Sequence, residues 1–252
     1  MKVFIVHGLK RSGNHAIINW ILEQTDMNFF NNIIPISPIL KGQEIIPNTI
    51  DFIEWINNPK NMRFLEKKTN NDDCIISIED HSVNIKPFIF NHKINVKHLL
   101  ILRDPINLFS SRIRKAFFIN NPAYPWVNNE NMQRAINLWI EHANEFFNIT
   151  HNIINKLCIS FNEWYSDLEY RKDLSNQLGI HFSDKGYKTI SLIGGGSSFD
   201  NTKYLNTDET YNLLNRNTLL NNYEKCLLDE VITDIKLKDI YGVIDKFTMN
   251  CK

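Results

Sequence analysis

The stretch Val3-Phe-Ile-Val-His-Gly-Leu-Lys-Arg-Ser-Gly-Asn-His-Ala-Ile-Ile-Asn-Trp20 decides the fold. Its first four residues are aliphatic or aromatic, the composition of a buried strand. Gly8 and Gly13 then bracket a loop, and an amphipathic pattern runs over 14–23, so the order is strand, loop, helix. This is the layout of a phosphate-binding loop, in which the N–H groups at a helix start and the helix dipole both favour an anion. The glycine spacing is that of G-x4-G-K-[ST], but Asn14 and His15 stand in the places of its Lys and Ser/Thr. The cations, Lys10 and Arg11, lie inside the loop. Such a loop holds a phosphate-like anion without the hydroxyl that would ligate magnesium.

Working outward, three more apolar runs read as buried strands, at 74–78, 98–102 and 157–161. Each precedes a helical pattern, with helices expected over 50–57, 106–118, 131–155, 165–178, 208–215 and 223–241. Strands alternating with helices predict an α/β fold, a three-layer sandwich with a mostly parallel central sheet flanked by helices. The 252 residues read as one domain, with a proline-containing insertion at about 29–68 as a lid or substrate-side element. Lys plus Arg number 28 and Asp plus Glu 28, so no basic excess points to nucleic acid. The four cysteines show no CxxC spacing, which fits reduced thiols in a cytoplasmic protein and no metal site. No targeting segment or apolar run of spanning length is evident, so no transmembrane segment is expected. The stripe Ala135, Leu138, Trp139, His142, Ala143, Phe146 has helical spacing and reads as core.

A second constellation is Leu99-Leu-Ile-Leu-Arg-Asp-Pro-Ile-Asn-Leu-Phe-Ser-Ser-Arg112. Arg103 ends a strand, where open α/β sheets place ligand groups, and Pro105 is suited to open a helix. Ser110, Ser111, Arg112 and Arg114 follow about two turns in. An Arg fork and a Ser hydroxyl together suit phosphate oxygens. Between the two constellations lies Ser77-Ile-Glu-Asp-His-Ser82, which offers Glu79 and His81 as bases, with Asp80 placed to orient the imidazole.

With these residues in place, the sequence resembles the sulfotransferases that use 3′-phosphoadenosine-5′-phosphosulfate (PAPS). Their P-K-S-G-T-T loop is similar to Lys10-Arg-Ser-Gly-Asn-His15, with Arg11 at the lysine. The resemblance implies a P-loop NTPase-like fold and a 5′-phosphosulfate held by Lys10, Arg11, Ser12, Gly13, Asn14 and His15. It implies a 3′-phosphate held by Arg103 and by Ser111, eight positions on. Ser197-Ser-Phe-Asp200 is similar to the family's T-S-F segment, which implies adenine contacts from Ser197, Ser198 and Phe199. Leu157-Cys-Ile-Ser-Phe-Asn-Glu-Trp164 resembles its strand followed by E-D-L.

The family commonly places a His, and in some branches a Glu, after the third core strand. That implies His81, or else Glu79, as the base, with Arg11 and Lys10 acting on the transferring group. The sequence departs from the family at Ala16, where a Trp is usual, and in the late R-K-G element, for which Arg216 is the nearest candidate. The implied reaction moves a sulfuryl group from PAPS to a hydroxyl of a glycan or small molecule, with no metal. A P-loop kinase or NTP-binding protein, or a non-catalytic nucleotide-binding relative, is the alternative. The aromatic segment 116–126, with Tyr124 and Trp126, is a candidate lining for the acceptor, whose identity stays open with the oligomeric state.

Overall fold

The computed structural model describes residues 1–33, 50–86, 88–118, 129–188, 196–197, 199–200 and 213–249. The strands are β1 (Lys2–Gly8), β2 (Asn28–Phe30), β3 (Ile50–Asp51), β4 (Leu65–Lys67), β5 (Cys74–Glu79), β6 (Phe88–Ile89), β7 (Asn95–Leu102) and β8 (Lys156–Ser160). The helices are α1 (Asn14–Leu22), α2 (Phe52–Ile56), α3 (Pro105–Phe118), α4 (Asn129–Phe146), α5 (Phe161–Ser166), α6 (Leu168–Leu178), α7 (Asn222–Lys238) and α8 (Val243–Met249). The main sheet has six strands in the order β4-β2-β5-β1-β7-β8, and β3 pairs with β6 apart from it. Among the described residues, only the β2–β4 edge pair is antiparallel. β1 pairs in parallel with both β5 and β7, Val6 facing Ser77 on one side and Leu99 on the other.

Alternation along β1 builds the layers. Phe4 and Val6 pack with Ile17, Trp20 and Ile21 of α1 and with Trp164 and Leu174 of α5 and α6. Val3 and Ile5 face the other way, toward Phe52, Trp55 and Phe88. A third cluster joins α3, α4, α7 and α8 around Leu108, Trp139, Val231 and Phe247. The expected α/β architecture, a mostly parallel sheet flanked by helices, is the one present. The chain leaves β1 toward β5 first and reaches β7 on the other side later. The loop after β1 therefore sits at the point where the strand order reverses, which is where open α/β sheets bind ligands.

Several expected boundaries need correction. The 131–155 helix ends at Phe146, because the buried Glu145 carboxylate gathers the following turn. It accepts from Thr150 Oγ1, from the Asn152 and Ile153 N–H groups and from Lys156 Nζ, while Asn148 takes a left-handed φ of 56°. The 165–178 helix is two helices. Asp167 caps α6 by accepting from the Glu169 and Tyr170 N–H groups, and Arg171 donates to the carbonyls of Trp164, Tyr165 and Asp167 at the junction. The expected insertion carries β2, β3, α2 and β4, with 34–49 outside the described residues. Most of the expected 208–215 helix also lies outside them, and its described end, 213–215, is not helical. Among the described residues, no helix is long and apolar enough to cross a membrane.

Candidate active site

The loop between β1 and α1 is built from its own sequence. Gly13 takes a φ of 89° as the N-cap of α1 and brings no side-chain cap. The Ala16 and Ile17 N–H groups already donate to Gly13 O, so the Asn14 and His15 N–H groups are the first-turn donors directed out of the helix. A Cβ on Gly13 would lie 2.1 Å from the Phe161 ring, and one on Gly8 2.2 Å from Asn14 Oδ1. Close approach thus requires both glycines, and the left-handed backbone requires Gly13 in addition. Asn14, buried, donates from Nδ2 to Leu9 O (3.1 Å) and to Glu79 Oε1 (2.8 Å). The His15 ring meets Asn31 Oδ1 at 3.0 Å, and the Ser77 hydroxyl donates to the same oxygen. Both side chains brace the loop against neighbouring strands, which leaves their backbone N–H groups as what they present to an anion. Ser12 is buried, with its N–H bonded to Leu9 O.

Beyond β5, Asp80 adopts a left-handed φ of 57°. Its carboxylate does not orient His81, as its neighbouring position in sequence suggests. Oδ1 accepts from the Lys10 N–H (2.9 Å) and from Arg112 Nη2, in an ion pair where Arg112 is fully buried. Burial would raise the Asp80 carboxyl, but Arg112 and the Lys10 N–H outweigh it and hold the group below its ordinary value. His81 follows, half-buried, with its carbonyl 2.9 Å from His142 Nε2. A carbonyl only accepts, so His142 carries its proton on Nε2. Burial lowers the His81 imidazole below 6.5, Arg134 adds to that effect, and Asp80 opposes it.

On the other side of the loop, cations converge. Arg103, at the end of β7, is buried, lies over the Phe161 ring at 4.7 Å, and donates to Arg11 O (3.0 Å) and Leu213 O. Its Nε has no partner among the described residues. Burial lowers Arg103 to about 10; Arg216 and Arg11 add to the fall and Asp104 opposes it. Arg11, itself left-handed at φ 75°, reaches Gly196 O at 3.3 Å. Arg216 and Arg114 both lie over Phe199, at 4.8 and 5.0 Å from its centroid. Arg216 pairs with Asp200 (2.9 Å), whose N–H donates to Ser197 Oγ. Arg114 pairs with the buried Glu224 at 3.1 Å.

The structure therefore gathers Lys10, Arg11, Ser12, Gly13, Asn14 and His15 with Glu79 and His81 at one strand-end cluster, and brings Arg103, Phe199, Ser197 and Arg216 to the adjoining side. Ser111 is buried in α3. Ser198, Tyr124 and Trp126 lie outside the described residues. Sequence reasoning did not find three contributors. Phe161 stands in the 157–164 segment as the expected end of a strand; it instead opens α5, beneath Gly13 and Arg103. The Asp80–Arg112 pair joins residues 32 positions apart, and no local pattern reports such a pairing. Glu224 was visible only as an N-terminal helix residue, where it completes a capping box with Asn221.

No family model matches the sequence, and no curated protein matches it. Among solved structures, the chain is similar to the mouse sulfotransferase SULT7A1 complexed with PAP, at 15% identity and a TM-score of 0.45, over 99% of this chain and 89% of that one. It is similar to the sulfotransferase domain of the Synechococcus PCC 7002 olefin synthase at 9% identity and 0.46, over 92% and 94%. It is similar to the sulfotransferase domain from the curacin biosynthetic pathway at 8% identity and 0.40, over 93% and 97%. All three are sulfotransferases or sulfotransferase domains.

Proposed function

We propose that the chain is a sulfotransferase that moves a sulfuryl group from PAPS to an acceptor hydroxyl on a glycan or small molecule. The observation that carries this reading is Arg103. A buried guanidinium with an unpartnered Nε, facing Arg11 and Arg216, is a costly arrangement unless an anion shares the site. The loop next to it has an uncapped helix start, and its Asn14 and His15 side chains brace neighbouring strands. Together these fit a donor with two anionic ends.

The donor supplies a sulfuryl group whose S–O bond to the 5′-phosphate breaks as the acceptor oxygen bonds to sulfur, with the acceptor proton passing to a base. In this reading Arg103, Ser111 and Arg216 hold the 3′-phosphate, and Ser197, Ser198 and Phe199 line the adenine. The Asn14 and His15 N–H groups of α1, with Arg11 and Lys10, meet the charge on the transferring group and leaving phosphate through prearranged electrostatics. His81 takes the proton, since burial and Arg134 keep its imidazole neutral near pH 7. Glu79 is the weaker candidate because its carboxylate is engaged by Asn14.

Calorimetry with adenosine 3′,5′-bisphosphate, set against ADP with magnesium, tests the reading. The bisphosphate is expected to bind more tightly. Tighter binding of ADP–magnesium would sink the reading in favour of a kinase or NTP-binding protein. A screen with labelled PAPS over hydroxyl acceptors then identifies the acceptor.

A further inference from the structure

Lys10 is held from two sides. Its N–H donates to Asp80 Oδ1 at 2.9 Å, and its carbonyl accepts from Arg112 Nε at 3.0 Å. Arg112 Nη2 donates to the same Asp80 oxygen, which closes a ring of three residues drawn from the loop, the β5 turn and α3. Two more bonds fix the Asp80 backbone: its N–H donates to Gly8 O (3.2 Å), and its carbonyl accepts from Arg134 Nη2 (3.0 Å). Two non-glycine residues take the left-handed region here, Asp80 in the ring at 57° and Arg11 next to it at 75°. Such backbone persists only where the surroundings over-determine it, and it clusters at functional sites. The residue after clamped Lys10 is Arg11, whose carbonyl meets Arg103 and whose guanidinium points to Gly196. The residue after clamped Asp80 is His81.

We propose that Asp80 and Arg112 are positioning residues that lock the phosphate loop and the turn bearing His81 into one unit. The geometry of the anion site and the direction of the base are thereby set by a single buried ion pair. Loosening either end releases both. The role assigned to the unit rests on the sulfotransferase reading, but its mechanical coupling does not.

The test uses Asp80→Asn, because Asn adopts the left-handed backbone readily and keeps a carbonyl oxygen for the Lys10 N–H while removing the charge that pairs Arg112. The double variant Asp80→Asn/Arg112→Gln also removes the buried cation, so that a lone charge does not unfold the protein. In the ligand-free protein, amide hydrogen exchange is expected to rise together in 8–13 and 78–82 by about 10-fold or more, with β8 and α6 unchanged. The His81 ring, followed by NMR, is expected to titrate at higher pH in Arg112→Gln, which keeps the Asp80 charge, because the released turn relieves the burial that holds the imidazole low. Affinity for adenosine 3′,5′-bisphosphate is expected to fall about 10- to 100-fold, the loss of one charge-assisted anchor.

Exchange that rises in one segment alone, or uniformly across the protein, overturns the proposal, and so does an unmoved His81 titration. If the wild type binds no bisphosphate, the sulfotransferase reading falls, while exchange and titration still decide the coupling.

Discussion

Glu79 and His81 stand two residues apart at the end of one strand, and their surroundings divide them. Glu79 is buried, with Oε1 accepting from Asn14, so its carboxylate is part of the loop's support. His81 is half-buried, and burial keeps its imidazole below 6.5. On the proposed mechanism, His81→Ala lowers PAPS-dependent transfer by about 10²–10⁴-fold, the usual contribution of a positioned base. Glu79→Gln keeps an amide oxygen for Asn14 and loses no more than about 10-fold on the same principle of base identity. Steady-state transfer rates of the two variants, compared at saturating PAPS, decide the matter. A larger loss for Glu79→Gln would transfer the base role to it. The two candidates were legible in Ser77-Ile-Glu-Asp-His-Ser82 as chemical types. Which one is spent on structure was not, because Asn14 lies 65 positions away.

At the scale of elements, α3 distributes cations to two sites. Residues two apart on a helix point about 200° apart around its axis, so Arg112 and Arg114 serve opposite neighbours. Arg112 reaches Asp80 and the Lys10 carbonyl. Arg114 reaches Glu224 of α7 and lies over Phe199. Arg114→Ala is therefore expected to weaken adenosine 3′,5′-bisphosphate binding about 10-fold, by removing the cation that holds the adenine-lining Phe199 ring, while the His81 titration stays where it is. Calorimetry alongside the NMR titration checks this; a shifted His81 with unchanged affinity would contradict the division. Periodicity and Pro105 made α3 itself readable, as strand composition did for β1, β5, β7 and β8. The ends of α4 and α5 were not readable from periodicity. Glu145 stops one by accepting bonds from a turn beyond it, and Asp167 divides the other from α6 by capping. Both devices depend on where a single carboxylate turns. β2 and β4 are three residues each, with β4 at the sheet edge and β2 beside it, so they carry too little pattern to register.

The whole molecule is poised on neutral histidines beneath its functional edge. His7 of β1 is buried, with Nε2 2.9 Å from His98 Nδ1 of β7 and the rings stacked at 5.2 Å. Burial holds His7 well below 6.5; His98 and His142 lower it further, and Glu145 of α4 opposes them. Burial also lowers His98, with Lys86 adding to the effect. His142 is fully buried and lowered by burial first, while the His81 carbonyl, Glu141 and Asp80 oppose the shift and Arg112 assists it. An unfolded chain titrates its histidines near 6.5, so below that pH it binds protons that the folded protein refuses. Stability is thus fully present above about pH 6.5 and declines as the pH falls below it. The carboxylates give a separate, later phase. Burial opposes ionisation of Glu145, but Lys156, Thr150 and two backbone N–H groups hold it down to about 2. Asp80 is likewise lowered. Their contribution stays intact until the unfolded carboxyls protonate near pH 4 and is lost below that. Urea midpoints at pH 8.5, 7.5, 5.5 and 4.5 are therefore expected to hold between the first two, which lie about one unit or more above the 6.5 reference, and to fall through the others. His7→Gln, which cannot titrate, is expected to flatten the fall below about pH 6.5 even if its midpoint at pH 8.5 is lower. A wild-type midpoint that does not move between pH 8.5 and 4.5, or a His7→Gln profile parallel to it, would show that the buried histidines carry no protonation cost.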